Sequence, residues 1–397
     1  MTEFKPDRNK KPLIIRGSVL NDGDFSHALI ESKEGIIQAI HQSDDLTELE
    51  RRTLIVPGFI DIHVHGGGGA DVMDGSIEAL RTIAETHVKY GTTGWLATTV
   101  TVAGADILRV IDAVKQYMPI QSGFKGAECL GIHLEGPFLS PKHRGAQRED
   151  LFMLPDLEQF QSWVERAEGI IRMITLAPEL EGAERLIRYA RENGITVSAG
   201  HTDATSRQLN NAAEWGVTHL THVFNAMRPI HHREPGIIAA ACRNGHMTAD
   251  FIADGIHLHP DTENLLLRLF GHERLILITD AMRAACMGDG LYEIGGLPVT
   301  VKQGVARIDN GTLAGSLLTL QRAAQRMTNI HRLRWAEVSR MASYNPARLL
   351  GLDRKGGILP GKSADLVGLT SEGDVLWTMV NGELCYENGN NTSGNDQ

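Results

Sequence analysis

The sequence has few cysteines, no excess of basic residues and no long apolar run. The 39 Lys and Arg residues stand against 49 Asp and Glu residues, and the resulting net charge of −10 argues against nucleic acid as a partner. No stretch of 18 apolar residues occurs, and the N-terminus MTEFKPDRNKKP is polar, which argues against membrane insertion and secretion. The four cysteines form no Cys-x-x-Cys pair, as is typical of reduced thiols in a cytoplasmic protein; they are Cys129, Cys242, Cys286 and Cys385.

The interior of the chain alternates short apolar runs with longer amphipathic segments. Eight runs read as strands, at 58–65, 93–101, 129–136, 170–178, 195–201, 217–226, 246–255 and 274–282. This alternation predicts a (β/α)₈ barrel of the TIM type. A doubly wound open sheet is the alternative, but it would usually carry Gly-x-Gly-x-x-Gly after its first strand, and the GGGG at 66–69 has no helix pattern after it.

The two ends of the chain have a different pattern. A single barrel needs about 250 residues, so a chain of 397 residues has room for a second, smaller unit. Segments such as PLIIRGSVL near the start and VLWTMVNGELCYENG near the end are alternating and turn-rich, and we expect them to pair in a small β-sandwich. The predicted domains are 1–57 and 351–397 for the sandwich and 58–350 for the barrel, with NGNNTSGNDQ as a disordered polar tail.

The stretch PGFIDIHVHGGGGADV ends an apolar run in two histidines and four glycines. With 17 histidines in 397 residues, about 0.7 His-x-His pairs would arise by chance, so the pair alone means little. Its position is informative, because strand alternation puts His63 and His65 on the same side of the first strand. The glycines let the backbone turn sharply and leave space beside the rings.

Other polar residues also follow predicted barrel strands, where the carboxyl ends of parallel strands meet at one face. Histidine nitrogens and carboxylate oxygens without a thiolate suit zinc or a similar first-row ion at an open catalytic site. We therefore expect one or two divalent ions per chain, zinc before iron, manganese or cobalt. The candidate residues are His63, His65, Glu135, His201, His222 and Asp280.

Several segments together resemble the amidohydrolase superfamily and, more narrowly, the N-acetylglucosamine-6-phosphate deacetylase family. They are PGFIDIHVHG, HLEGPFLSPKHRGA, AGHTDA, THVFNAMRPIHHREPG, ADGIHLHP, LITDAM and GTLAGS. The resemblance implies a barrel with a β-sandwich, a homodimer, and hydrolysis of the substrate to glucosamine-6-phosphate and acetate in amino-sugar metabolism. It also implies that Glu135, His201 and His222 ligate metal and that Asp280 is the general acid and base. Family members with His-x-His on the first strand can hold two ions.

The resemblance assigns substrate contacts as well. Asn225, the backbone at Ala226, Arg233 and His257 would hold the sugar phosphate, with Arg233 reaching in from the neighbouring subunit. An arginine matches phosphate oxygens with two parallel hydrogen bonds, which supplies the local positive charge that an acidic chain needs. Leu313, Ala314 and Gly315 would line the sugar.

One element departs from the family pattern. The family normally has a histidine near the acetamide where this chain reads Gly145, Ala146, Gln147, and Gln147 can donate a hydrogen bond but cannot become cationic. His143 is a candidate replacement. The departure keeps N-acetylgalactosamine-6-phosphate open as the substrate. A cyclic-amide hydrolase or deaminase and an inactive metal-binding relative are further alternatives, although a phosphate contact from Arg233 and Asn225 argues against the first.

Overall fold

A computed structural model describes residues 12–21 and 23–389. The N-terminal stretch up to residue 11 and most of the predicted polar tail, 390–397, lie outside the described residues. The strands are β1 (Leu13–Asn21), β2 (Asp24–Lys33), β3 (Ile36–Gln42), β4 (Leu54–Pro57), β5 (Phe59–Val64), β6 (Gly66–Gly67), β7 (Ala70–Asp71), β8 (Thr92–Thr98), β9 (Glu128–Glu135), β10 (Ile171–Leu176), β11 (Thr196–Ala199), β12 (Val217–Leu220), β13 (Thr248–Ile252), β14 (Leu275–Ile278), β15 (Gly290–Ile294), β16 (Leu297–Lys302), β17 (Val305–Ile308), β18 (Leu366–Leu369), β19 (Val375–Val380) and β20 (Glu383–Glu387). The α-helices are α1 (Glu48–Arg52), α2 (Ile77–His87), α3 (Gly104–Tyr117), α4 (Leu157–Ala167), α5 (Ala183–Glu192), α6 (Ser206–Trp215), α7 (Gly236–Arg243), α8 (Pro260–Phe270), α9 (Leu320–Asn329), α10 (Trp335–Ser339) and α11 (Asn345–Leu349).

Eight parallel strands form the predicted barrel; six of the eight apolar runs contain one of them, and the runs at 93–101 and 129–136 each miss only the first residue of theirs. Their order around the barrel is β5, β8, β9, β10, β11, β12, β13 and β14. The first and last strands meet just beyond their ends, where the Asp280 N–H donates to the carbonyl of His63 at 3.0 Å. The His65 N–H donates to the carbonyl of Ala281 at 2.9 Å. The closure therefore uses residues of the candidate site itself.

The longer helices that follow barrel strands pack on the barrel through an apolar stripe. In α5 the buried residues recur at the helical spacing of three and four, namely Ala183, Leu186, Ile187 and Ala190. Helix α6 begins at a capping box, in which the Thr205 hydroxyl accepts from the Gln208 N–H and the Gln208 side chain accepts from the Thr205 N–H. The barrel strands are buried along most of their length, as expected for a parallel sheet covered by helices.

The two ends of the chain combine in a second sheet, which confirms the predicted β unit. It is one continuous seven-stranded sheet in the order β20, β19, β18, β4, β1, β2, β3, and β18 pairs antiparallel with β4. Its own core includes Val19, Ile30, Ile55 and Leu366. Among the described residues no helix has the length and apolar character needed to cross a membrane.

A third sheet was not predicted. Strands β15, β16 and β17 form an antiparallel unit between the last barrel strand and α9. Its first turn contains Gly295 and Gly296, both with positive φ. The segment alternates buried and exposed positions, as an antiparallel sheet does when one face is solvated. The predicted barrel domain, 58–350, did not include this sheet as a separate unit.

Candidate metal centre and active site

The carboxyl ends of five barrel strands bring the predicted metal ligands together. His63 lies near the end of β5 and His65 just beyond it, while Glu135 ends β9. His201, His222 and Asp280 each follow their strands by two residues. All six residues are buried.

Three of these residues have an unusual backbone conformation. The φ angles are +46° at His201, +32° at His222 and +50° at Asp280. Residues with a Cβ rarely adopt positive φ, and holding one there costs on the order of 1–3 kcal/mol. Such backbone strain is concentrated at functional sites, where the surrounding fold imposes it.

The atoms that could ligate a metal form two groups of three, which are His63, His65 and Asp280 on one side and Glu135, His201 and His222 on the other. Within each group the atoms all lie within 4.8 Å of one another. Glu135 also faces the first group. Its Oε1 lies 3.4 Å from the Nε2 of His63, and its Oε2 lies 3.5 Å from the Nε2 of His65.

The imidazole geometry fits a divalent cation. The Nε2 atoms of His201 and His222 are 3.1 Å apart, and so are those of His63 and His65. His201 Nδ1 donates to the carbonyl of His143 at 2.9 Å, and His65 Nδ1 donates to the carbonyl of Thr98 at 3.2 Å. A neutral imidazole that donates through Nδ1 presents a lone pair at Nε2. Two such lone pairs that face each other at this distance repel one another. A cation bound by both nitrogens would remove the repulsion.

The electrostatics of the site also favour positive charge. Burial opposes ionisation of Glu135, but the neighbouring His63 and His201 hold its pKa well below its usual range. Burial likewise opposes protonation of His65, yet the hydrogen bond to Asp280 and the charge of Glu135 raise its pKa to about 9. The pKa of His222 is also raised to about 9, because Glu135 outweighs burial. The site thus has a carboxylate environment that attracts cations.

A second layer of buried polar residues supports the ligands. The Nε2 of His219 lies 2.9 Å from Asp250, whose other oxygen accepts from the His222 N–H. His133 donates to the carbonyl of Ile62 at 3.0 Å, and burial lowers its pKa to about 4. Sequence reasoning missed these residues. Their available signal was a polar side chain inside an otherwise apolar strand, a pattern that buried networks produce.

Five of the six candidate ligands line a cavity of about 240 Å³, which also contains most of the predicted substrate residues. Its lining includes Ala146, Gln147, Asn225, Ala226, His257, Leu313 and Gly315 beside His65, Glu135, His201, His222 and Asp280. The structure adds Gly145, Ile252, Ile294 and Thr312, which the sequence reasoning did not select. Ile294 ends β15, and Thr312 follows β17, so both belong to the overlooked third sheet or its flank.

Three of the predicted site residues do not line this cavity. His63 is fully buried beside the other ligands and is not part of the cavity lining. Ala314 is also fully buried, and its N–H donates to the carbonyl of Ala306 at 3.1 Å. Arg233 is exposed, with its Nη1 2.7 Å from the Nε2 of His232.

The histidines at the rim have different partners. His257 Nδ1 lies 2.7 Å from the Oδ2 of Asp254, so its other ring nitrogen remains available to a ligand. Burial opposes ionisation of Asp254, but the hydrogen bond and charge of His257, together with the backbone N–H groups of Ile256 and His257, lower its pKa. His143 Nε2 instead lies 3.2 Å from Asp203, and His143 is not among the cavity residues. His143 contacts the site through its backbone carbonyl, which accepts a hydrogen bond from His201 Nδ1.

Similar proteins are known. The pattern of the amidohydrolase family matches residues 54–385. The chain is 41% identical over 370 residues to the N-acetylglucosamine-6-phosphate deacetylase of Bacillus subtilis, with 92% of each chain covered. It is 37% identical over 374 residues to the N-acetylgalactosamine-6-phosphate deacetylase of Escherichia coli O157:H7, with coverage of 94% and 98%. The solved structure of a variant N-acetyl-D-glucosamine-6-phosphate deacetylase from Mycobacterium smegmatis, in complex with N-acetyl-D-glucosamine-6-phosphate, matches with a TM-score of 0.88 at 33% identity, over 95% of this chain and 100% of that one.

Proposed function

The chain belongs to the amidohydrolase family, and we propose that it hydrolyses the acetamide of N-acetylglucosamine-6-phosphate to glucosamine-6-phosphate and acetate. The observation that carries this proposal is the convergence of Glu135, His201, His222 and Asp280 in one cavity. Asn225 and His257 line the same cavity, within reach of one small ligand. The relatives with this activity share the architecture over nearly the whole chain.

The metal in this proposal is zinc. Glu135, His201 and His222 would hold one ion, and His63 and His65 would hold a second, with Glu135 facing both. Nitrogen and carboxylate ligands without sulfur suit zinc at a catalytic site, with iron, manganese or cobalt as alternatives. When bound, a divalent cation supplies Lewis acidity and lowers the pKa of water from about 15.7 towards about 7.

Asp280 carries the proton in this reaction. Amide hydrolysis needs a base for the attacking water and an acid for the departing nitrogen, because an amine anion is a poor leaving group. The Asp280 carboxylate lines the cavity and can accept the first proton and donate it in the second step. One residue would therefore serve as base and then as acid.

The sugar phosphate would lie between the cavity wall and a neighbouring subunit. Asn225, Ala226 and His257 line the cavity, where they would make such contacts. Arg233 is exposed and outside its own chain's cavity, as expected if it completes the site of a partner in a homodimer. All four cysteines are unpaired, which supports a reducing, cytoplasmic setting.

A second substrate has specific support. The 37% identical relative acts on N-acetylgalactosamine-6-phosphate. The two sugars differ only in the orientation of one hydroxyl, and Gln147 stands where the family has a histidine. N-acetylglucosamine-6-phosphate remains the proposal, since the 41% identical relative acts on it.

Hydrolysis of a panel of substrates tests the proposal, with acetate release measured for the sugars and ring opening measured for a cyclic amide. The panel contains both N-acetylated sugar phosphates, their unphosphorylated forms and a cyclic amide. We expect the highest kcat/KM for N-acetylglucosamine-6-phosphate. A preference for the galactose epimer would show that the proposed substrate is wrong. Activity on the cyclic amide alone would show that the proposed reaction class is wrong. A protein that binds metal but hydrolyses none of them would contradict the enzyme proposal altogether.

A further inference from the structure

Gln147 is held between two loops at the barrel mouth. It follows β9 by twelve residues, and only 9% of its surface is exposed. Its Nε2 donates to Glu135 Oε2 at 2.6 Å, and its Oε1 accepts from the Thr101 N–H at 2.8 Å. Thr101 lies beyond the end of the neighbouring strand β8. One amide group therefore connects the Glu135 carboxylate to the backbone of a different loop.

These two contacts determine the orientation of the amide. A backbone N–H can only donate, so it must face the amide oxygen. An ionised carboxylate can only accept, so it must face the amide NH₂. Reversing the amide would set donor against donor and acceptor against acceptor. Gln147 consequently directs a charge-assisted hydrogen bond at one oxygen of Glu135.

This hydrogen bond holds one of the two Glu135 oxygens on the side of His65. Oε1 faces His201 and His222 at 3.2 and 3.1 Å and also lies 3.4 Å from the Nε2 of His63. Oε2 faces Gln147 and, at 3.5 Å, the Nε2 of His65. A carboxylate oxygen has two lone pairs, so Oε2 can accept from Gln147 and still ligate an ion. With Oε2 held in place, the carboxylate plane cannot turn to give both oxygens to the same group of ligands.

We propose that Gln147 is a positioning residue for the metal centre, which keeps Glu135 directed at two ions at once. Its main effect is on affinity for the second ion. This differs from the substrate contact expected at this position from the family histidine. The inference rests on the proposed metal-dependent hydrolysis only for its kinetic measurements, because metal binding can be measured without any substrate.

Two substitutions test this role in the full-length protein. Gln147→Met keeps the length of the side chain but loses both hydrogen bonds, and Gln147→Asn keeps the amide but is too short to span both partners. Metal-depleted protein is titrated with zinc against a chromogenic chelator. We expect the weaker-bound zinc to lose about 10- to 100-fold in affinity in both variants, as found when partners of metal ligands are removed. In the zinc-loaded variants kcat should fall, while KM changes by less than about threefold.

Gln159→Met is the matched control, because Gln159 lies on α4 at the outside of the barrel and leaves the ligands untouched. It should bind zinc and turn over as the wild type does. The unfolding midpoint of each metal-free variant shows whether a loss comes from the fold, and the Asn variant remains informative if the Met variant does not fold. Unchanged zinc affinity with a raised KM would overturn the proposal, and so would a wild type that binds only one zinc. A wild type that binds two ions without deacetylating any sugar would contradict the proposed function and leave this inference standing.

Discussion

Asp280 lies against His65, with its Oδ1 3.1 Å from the Nε2 of the imidazole. The two residues come from opposite ends of the barrel sequence and meet because β14 closes against β5. The carboxylate is thus next to a proposed metal ligand and also at the cavity wall. This position suits a group that exchanges protons with water and substrate.

Replacing Asp280 with Asn should remove proton transfer while preserving size and hydrogen bonding. We expect kcat to fall by roughly 10² to 10⁴-fold, the usual contribution of general acid and base catalysis. The zinc of the Glu135 group should survive, since Glu135, His201 and His222 remain. Steady-state kinetics and elemental analysis of the same preparation measure both effects. An Asn variant within a few-fold of wild type would assign the proton transfer to another residue.

Removing ligands should affect the two proposed ions differently. His201→Ala or His222→Ala takes a nitrogen from the Glu135 group and should abolish most bound metal. A double His63→Ala, His65→Ala variant should lose one ion and keep the other. Metal-to-protein ratios, measured after dialysis against a weak chelator, check this expectation. Full metal content in the double variant would mean that these histidines do not hold a second ion.

Arg233→Ala should weaken binding of the phosphorylated sugar specifically. A charge-assisted contact contributes roughly 1.5 to 3 kcal/mol, so KM should rise about 10- to 150-fold. Activity on the unphosphorylated N-acetyl sugar should hardly change. Equal losses on both substrates would show that Arg233 does not bind phosphate.

Mixed dimers test whether Arg233 acts across the interface of the proposed homodimer. A dimer of one Arg233→Ala chain and one Asp280→Asn chain would contain one intact site if Arg233 serves its neighbour, because both defects then fall in the other site. Activity at a substrate concentration too low for either variant alone should therefore reappear when the two variants are refolded together. If none reappears, Arg233 acts within its own chain.

Lys355 should be important for stability, because it connects the terminal sheet to the barrel. Its Nζ lies 2.6 Å from Glu128, which begins β9, and 2.7 Å from buried Asp365 beside β18. Burial opposes the charge on Lys355, but the two carboxylates outweigh it and raise its pKa. Lys355→Met leaves Asp365 buried without its cation, which should cost about 3–5 kcal/mol of unfolding free energy.

The matched control is Arg166→Met, which removes the exposed ion pair with Asp112 and should barely change stability. Denaturant unfolding of both variants provides the comparison. Similar small losses in the two variants would show that the buried cluster is not a structural connection.

Cys129 should be unreactive in the folded protein. It is buried on β9, and burial raises the pKa of its thiol to about 12, so almost no thiolate forms near neutral pH. Cys129→Ala should leave the number of thiols that react in native protein unchanged and lower the number in denaturant by one. A lower native count would mean that the β9 region opens readily.

The barrel and the type of chemistry could be predicted from local sequence patterns. Strand and helix periodicity are local, so eight apolar runs between amphipathic segments were enough to predict the strands. Parallel strands bring their carboxyl ends to one face. The sequence alone was therefore enough to predict that His63, Glu135, His201, His222 and Asp280 lie in one site. The family motifs then added the reaction, which periodicity cannot specify.

The polar residues that hydrogen-bond to the candidate metal ligands could be identified only in the folded structure. Gln147 contacts Glu135 and the Thr101 backbone, 46 residues away, and His143 contributes its carbonyl instead of its ring. These contacts depend on how irregular loops pack over the barrel, and loop packing leaves no periodic pattern in a sequence. The third sheet, which brings Ile294 to the cavity, was missed because its short alternating strands lie within the region that was assigned to the barrel. Local patterns report burial, whereas the partners of a buried polar group are set by the whole fold.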